Sequence, residues 1–385
     1  MDLNRFDNFF IHKDVLEAPL IKRIQDFLPQ NKIQIVSDTP FKEFQGELSK
    51  EEFDRSKKNI FFSEFKGNFF KRCPGARPGL SCCNYFVLNL GLQCDMNCSY
   101  CYLQSFINSP IMTIYTNIDK AIKELEFMAS ENSHLPFRIG TGEVIDSLSL
   151  DDLTLYSREL IPFFKKYPKW KLEFKTKSSK VDQFLDLGPA SNVIVSWSIN
   201  PENIILSEEQ GTATLKERLR AAIKCREQGF ALSFHIDPMI WHKEWKENYA
   251  QLVDDITSQF TPEEVNVLSV GALRFQPEQK AIMRERFGFK GYVTTAEVFP
   301  SSDGKLRYDK QVRQEMYEFV VKRFKQKNSK WNIFFCMESP ETWLQSTYKS
   351  LPKRVDGLND FFDHKVLLAA EKTKNYDKSH KNKIF

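Results

Sequence analysis

CDMNCSYCYLQ (residues 94–104) places three cysteines at the spacing C-x3-C-x2-C, with an aromatic residue, Tyr100, just before the third. YFVLNLGL (85–92), immediately upstream, is a short apolar run of strand character. Downstream, candidate helices and strands alternate. Asn117 can cap a helix whose Ile118, Ile122, Leu125 and Met128 share one face. FRIG (137–140) is a brief strand leading into GTGE, and 151–167 reads as one helix with Leu153, Tyr156, Leu160 and Phe164 in register. KLEFKTKS (171–178) and NVIVSWSIN (192–200) read as strands with a short helix between them, around 181–187. A helix over 214–230 stops at Gly229, and ALSFHIDPM (231–239) is the next strand. Residues 248–260 are helical, VNVLSVGALRF (265–275) is a strand, and Pro277 opens a last helix.

Six strands alternating with helices predict parallel βαβ units, arranged as an incomplete barrel or an open sheet. In either, chemistry gathers where the strands end at their C-termini. The cysteines follow the first strand and GTGE the second; Lys177 lies in the third, Ser198 ends the fourth, and Asp237 and Pro238 end the fifth. One rim therefore carries every chemically suggestive residue. His235 and His242 flank the end of the fifth strand, and a surface position on a loop is the plainer reading of His242. Residues 1–80 are polar and Phe-rich, without a clear alternation of elements.

The chain has 385 residues, a 41% apolar fraction and a net charge of +4, enough for one large core and too mild to argue by itself for nucleic acid. No stretch has the length and apolarity of a membrane span. MDLNRFDNFFIHKD carries acids among its apolar residues and lacks a signal-peptide layout, so the expectation is a cytoplasmic protein with reduced thiols. Of the eight cysteines, Cys73, Cys82, Cys83, Cys94, Cys98 and Cys101 cluster between residues 73 and 101, while Cys225 and Cys336 stand apart. The Lys-rich stretch KTKNYDKSHKNK (372–383) reads as a solvated tail.

Three closely spaced thiolates fit a cubane iron–sulfur cluster with one iron left open for a ligand. The alternative is a zinc site completed by Cys82, Cys83 or a distant histidine. The spacing and position of the triad resemble the radical S-adenosylmethionine (SAM) superfamily. CSYCYLQ, RIGTGEVIDSLSLDDLT, FKTKSSKVDQFL, VSWSIN, FHIDPMIWHKEWKENY, GALRF and GKLRY, in that order, resemble the spore photoproduct lyase family. The resemblance implies an α/β fold: a partial (β/α)6 TIM-like barrel over 84–290. It adds an N-terminal extension (1–83) and a C-terminal β-hairpin and helix segment facing DNA (291–385). It implies a [4Fe-4S] cluster on Cys94, Cys98 and Cys101 and SAM contacts from Tyr100, Lys177 and Ser198. Reductive cleavage of SAM would then give a 5′-deoxyadenosyl radical that repairs a UV-induced thymine lesion. UV-damaged DNA is the implied partner, with an electron donor such as flavodoxin or ferredoxin. Arg274, Lys305, Arg307 and Tyr308 match DNA-side positions, and Tyr102 matches a tyrosine near the radical site.

Glu143 departs from the pattern, since it stands where the family keeps a hydrogen-donating cysteine. A carboxylate O–H is too strong to give its hydrogen to a carbon radical. Glu143 instead matches the acidic end of a glycine-rich loop that holds the SAM ammonium, with Gly140 and Gly142 letting the backbone approach the ligand. Asp237 is a further SAM-contact candidate by position. Cys82, Cys83, Cys73 and Tyr102 are then candidate donors. Two other functions fit the residues less fully: radical SAM modification of RNA or a small molecule, and a cluster-bearing nucleic-acid binder without turnover.

Overall fold

A computed structural model describes residues 2–41, 49–74, 85–107, 109, 111–339 and 341–343. Cys82, Cys83 and the Lys-rich stretch lie outside the described residues. The chain begins with three parallel strands, β1 (Asn8–His12), β2 (Ile33–Val36) and β3 (Asn59–Ser63). Next come β4 (Phe70–Arg72), β5 (Phe86–Leu88), β6 (Gly91–Leu92), β7 (Asn97–Cys98) and β8 (Met112–Tyr115). The alternating region supplies β9 (Phe137–Gly140), β10 (Trp170–Thr176), β11 (Ala190–Ser198), β12 (Glu209–Gln210), β13 (Phe230–Met239) and β14 (Val265–Ala272). Last are β15 (Arg274–Phe275), β16 (Phe299–Pro300), β17 (Leu306–Arg307) and β18 (Ile333–Phe335).

The six strands expected from the alternation are neighbours in chain order, β5-β9-β10-β11-β13-β14, all parallel. β18 extends this sheet in parallel beyond β14, and β4 pairs antiparallel with β5, so β4 and β18 are its two edges. The sheet is a curled half-barrel.

Its strands alternate in chemistry because successive side chains point to opposite faces. Leu172 and Phe174 of β10 and Phe234 of β13 pack with the helices, as in the contacts Phe174–Phe184 and Phe234–Phe260. The inner face is polar. Glu173 lies level with Gly140, Lys175 with Ser196, and Ser198 with His235 and Ser269.

The N-terminal region has more regular structure than its sequence announces. β1, β2 and β3 belong to a second sheet, ordered β2-β1-β3-β8-β6, whose last two strands bracket the cysteine loop. The expected boundary after residue 83 therefore runs through a shared sheet. The physical reason is the packing of Ile60 and Phe62, which join the same core as Met112, Ile114 and the barrel strands.

Two local expectations change. Asn117 does not cap its helix, Ile118–Asn132; its side chain bonds both the N–H and the C=O of Phe65 and ties that helix to the N-terminal region. The helix expected over 151–167 is two, Asp151–Thr154 and Tyr156–Lys165, divided at Leu155 with φ of 52°. The buried Asp151 carboxylate spans the break by accepting from the Ser157 backbone and hydroxyl. No helix of the described residues is long and apolar enough to cross a membrane.

If the two sheets share one core, they unfold together. Phe62→Ala empties a fully buried position in β3, and such a truncation costs about 3–5 kcal/mol. Calorimetry should show one transition, in the wild type and at lower temperature in the variant. Two separated transitions, with only one of them shifted, would show an independent N-terminal unit.

Candidate active site

The cysteine loop leaves β6 through a left-handed residue. Gln93 has φ of 73°, unusual for a residue with a side chain. It is fully buried, and its amide exchanges hydrogen bonds with the Ser56 hydroxyl at 2.8 and 3.1 Å. That contact turns the chain into Cys94. Beyond it the loop has little regular pairing and is held from outside. Lys57 Nζ donates to the carbonyls of Cys94 (2.7 Å) and Met96 (2.6 Å), and Arg5 pairs with Asp95. Gln279 Nε2 donates to the Tyr100 and Cys101 carbonyls, each at 3.1 Å. Arg286 donates to Gln104, Asn97 and Asp54 at 2.7–2.8 Å and lies 4.1 Å from the Phe53 ring centroid.

A third support is the pair β7–β12, which sets Cys98 opposite Glu209. Glu208 accepts from the Ser99 hydroxyl and from the Tyr292 backbone. Glu209, fully buried, accepts from the Tyr100 hydroxyl and Asn200 and pairs with Arg218 at 2.7 Å. Burial alone would raise the Glu209 carboxyl; the Lys177 and Arg218 cations outweigh it and hold it below the usual carboxylate range. Lys177 shows the mirror case: burial pulls its ammonium down, but Glu209 and Cys98 keep it above the usual lysine range. Its Nζ lies 5.5 Å from the Tyr100 ring centroid.

Burial pushes the Cys98 thiol up to about 12 and Cys94 well above its ordinary value. Among the described residues, no three His, Cys, Asp or Glu side chains converge as ligands of a single ion. A tetrahedral zinc site needs sulfurs about 2.3 Å from one point, whereas a cubane takes each thiolate on a different iron.

Opposite the cysteine loop stands 140–149. Glu143 is half-buried; its Oε2 accepts from Asn89 at 2.9 Å and its backbone carbonyl accepts from the Tyr102 hydroxyl at 2.9 Å. Burial raises its carboxyl above the ordinary range despite the Asn89 bond. Asp146 fixes this loop to the end of β10 by accepting from Thr176 Oγ1 (2.6 Å) and the backbone N–H groups of Lys177, Leu148 and Ser149. The cysteine loop, Glu143 and Lys177 thus meet at one rim.

A family model described as "Spore photoproduct lyase" matches residues 6–332. The chain belongs to the spore photoproduct lyase family. It is 26% identical over 251 residues to the spore photoproduct lyase of Bacillus subtilis (strain 168), covering 64% of this chain and 71% of that one. It is 23% identical over 245 residues to that of Clostridium acetobutylicum, covering 59% and 69%. A solved spore photoproduct lyase mutant with bound AdoMet and dinucleoside spore photoproduct has the same fold, with a TM-score of 0.74. At 22% identity, the match covers 86% of this chain and 98% of the other. A spore photoproduct lyase complexed with dinucleoside spore photoproduct aligns equally well, at a TM-score of 0.74.

Several expected site residues take other places than the sequence reading gave them. An added Cβ at Gly140 would sit 1.5 Å from the Tyr85 hydroxyl, and one at Gly142 would sit 2.6 Å from the Lys175 carbonyl. These glycines make room for protein atoms rather than for a ligand. Asp237 is committed to Arg274, which grips both its oxygens at 2.8 and 3.0 Å. Arg307 is buried between Asp303 and Glu338, and the buried Tyr308 hydroxyl accepts from the Trp241 backbone. Arg274 and Arg307 are strand residues of the three-stranded sheet β15-β17-β16, directly paired with each other, and Tyr308 follows β17. Lys305 keeps partial exposure at its turn. Ser198 is buried at the end of β11, and its carbonyl accepts from Arg218. His242 is buried too, bonded to the Ile240 carbonyl and Asn248.

Missed entirely was the floor of the half-barrel. Glu173, fully buried, pairs with Arg138 at 2.6 Å and accepts from Ser196 at 2.6 Å and His235 at 2.8 Å. Burial would raise its carboxyl, but Arg138 and His235 hold it well below the usual range. An ionised Glu173 only accepts, so the His235 imidazole carries its proton on Nε2. Burial and the Lys175 cation lower His235 to about 4, from its ordinary 6.5. The alternation of β10 and β13 could have flagged Glu173 and His235 as facing one interior.

Two predictions follow from this geometry. Between pH 6.5 and 4 the unfolded chain binds a proton at residue 235 that the folded chain refuses, so stability falls as pH is lowered through that window. The slope is up to about 1.4 kcal/mol per pH unit. His235→Asn keeps a donor for Glu173 and should flatten the slope in a pH series of denaturant melts. Arg286→Met keeps bulk but removes the three polar ties; circular dichroism should stay near wild type while the yield of brown, cluster-loaded protein drops severalfold. Unchanged cluster loading would show that the loop is held without Arg286.

Proposed function

We propose that this enzyme repairs spore photoproduct, the thymine lesion borne by its relatives' ligands, by radical SAM chemistry in DNA. The observation that carries the reading is the rim where three thiols, Cys98 buried and Cys94 and Cys101 half-buried, face a carboxylate and an ammonium group. Cys94, Cys98 and Cys101 would hold a [4Fe-4S] cluster. When bound, cluster and SAM together supply a 5′-deoxyadenosyl radical on one-electron reduction. SAM carries an amino-acid zwitterion, and Glu143 and Lys177 offer the two opposite charges that recognise it. Tyr100, held by Glu209, lines the loop beside Lys177, and Ser198 closes the same rim. Tyr102 is partly exposed, with its hydroxyl on Glu143, in reach of a substrate entering from solvent.

The residues hold water out of the floor and leave the mouth open. Phe299 and Trp241, exposed beside the hairpin, and Lys305 at its turn are the surface a DNA strand would meet. A small acidic flavodoxin or ferredoxin would supply the electron.

Irradiated and unirradiated thymine-rich DNA, given to reconstituted, reduced enzyme with SAM, separate the readings. Restored thymine and 5′-deoxyadenosine should rise together only with irradiated DNA. Deoxyadenosine formed equally with either DNA would mean another substrate. Cys98→Ala should abolish both cluster absorbance and SAM cleavage. Glu143→Gln should weaken SAM binding by roughly tenfold, the cost of one charge-assisted contact, while cluster loading is kept; unchanged affinity removes Glu143 from the SAM site.

A further inference from the structure

Repair of a methylene-bridged thymine pair leaves an unpaired electron on the carbon that becomes a methyl group. That carbon needs one hydrogen atom, and among protein groups a thiol gives it most readily. Glu143 cannot give it. Of the described thiols, Cys94, Cys98 and Cys101 belong to the cluster loop, and Cys225 is fully buried in the helix Leu215–Glu227. Cys336 lies at the end of β18, its Sγ accepting from Arg274 at 3.7 Å, behind the Asp237 pair.

Cys73 is placed differently. It follows β4, and its N–H donates to the Tyr85 carbonyl at 2.9 Å, continuing the antiparallel ladder with β5. Partners on such a ladder share a face. Tyr85 sends its hydroxyl against Gly140, so this rung opens on the interior at the sheet's edge. Cys73 is half-buried, as an exchangeable thiol that meets a substrate must be. Cys73 thus stands at the β4 edge of the sheet, on the face that carries Tyr85.

Resting on the functional reading above, we propose that Cys73, at the β4 edge of the half-barrel beside Tyr85, is the hydrogen-atom donor to the thymine product radical. The Cys73 Sγ–H bond breaks and the third C–H bond of the thymine methyl forms. The unpaired electron stays on Sγ. Tyr102 restores the thiol with its O–H hydrogen and recovers one from the C5′–H of 5′-deoxyadenosine, which holds the hydrogen first taken from the lesion; the carbon radical left there would rejoin the methionine sulfur, re-forming SAM and returning the electron that cleaved it. No electron is gained or lost over the sequence, and no further reductant is needed.

The test uses cluster-loaded enzyme with SAM in D2O and a lesion-bearing oligonucleotide. Wild type should place one solvent deuterium in the methyl of each repaired pair. Cys73→Ala and Cys73→Ser should keep lesion-dependent SAM cleavage but lose restored thymine on the order of tenfold or more, because neither side chain has a weak enough X–H bond. Independently, in cluster-free wild type, the same oligonucleotide should slow alkylation of Cys73 by iodoacetamide, read by peptide mass mapping. Unprotected Cys73, or repair that survives in both variants and is lost in Cys82→Ala or Cys83→Ala, overturns the donor assignment alone. Wild type that cleaves SAM and restores no thymine overturns the functional reading and the donor with it.

Discussion

A loop that must present three thiols to one cofactor has little backbone pairing of its own, and so depends on side chains brought from elsewhere. Arg286, from the last helix of the alternating region, ties Gln104, Asn97 and Asp54 together, joining both arms of the loop to the N-terminal region. Lys57 and Gln279 add the carbonyls of Cys94, Met96, Tyr100 and Cys101. A charge-assisted bond is roughly twice as strong as a neutral one, and those of Arg286 and Lys57 are buried or part-buried. The N-terminal sheet is part of the same device, since it shares β6 and β8 with the loop it supports.

The inside of the half-barrel poses the opposite problem: it is polar, and charges there are costly unless each finds its complement. Glu173 with Arg138, Glu209 with Arg218, and Asp237 with Arg274 meet that requirement pairwise. The pairs leave Lys177 and Glu143 at the rim, where a zwitterion would complete them. A protein built only for stability would fill this volume with apolar side chains. Keeping it charged is the cost of a site that must accept a polar cofactor.

Much of this was legible in order along the chain. The alternation of β5, β9, β10, β11, β13 and β14 follows from apolar runs separated by amphipathic helices, and their parallel order follows from short right-handed crossovers. The cysteine spacing named its own chemistry, because few other uses exist for three thiols on one turn. What misled was any residue whose role depends on its neighbour. Arg274, Arg307 and Asp237 look like ligands for phosphate or SAM when read singly; in space Arg274 and Asp237 grip each other, and Arg307 is held by Asp303 and Glu338. Gly140 and Gly142 look like room for a cofactor, and the room is taken by Tyr85 and Lys175. Residues 1–80 look shapeless because their strands are short and pair with segments far along the chain.

The sequence alone determined that six βα units would form, that their functional rim would gather at one end, and that three thiols would stand on the first loop, since periodicity and spacing are local properties. Only the tertiary structure decided which charges are spent on each other, that the N-terminal strands buttress the cysteine loop, and that Cys73 shares a rung with Tyr85 at the edge of the sheet. Those outcomes rest on distances between residues remote in sequence, which no local pattern encodes.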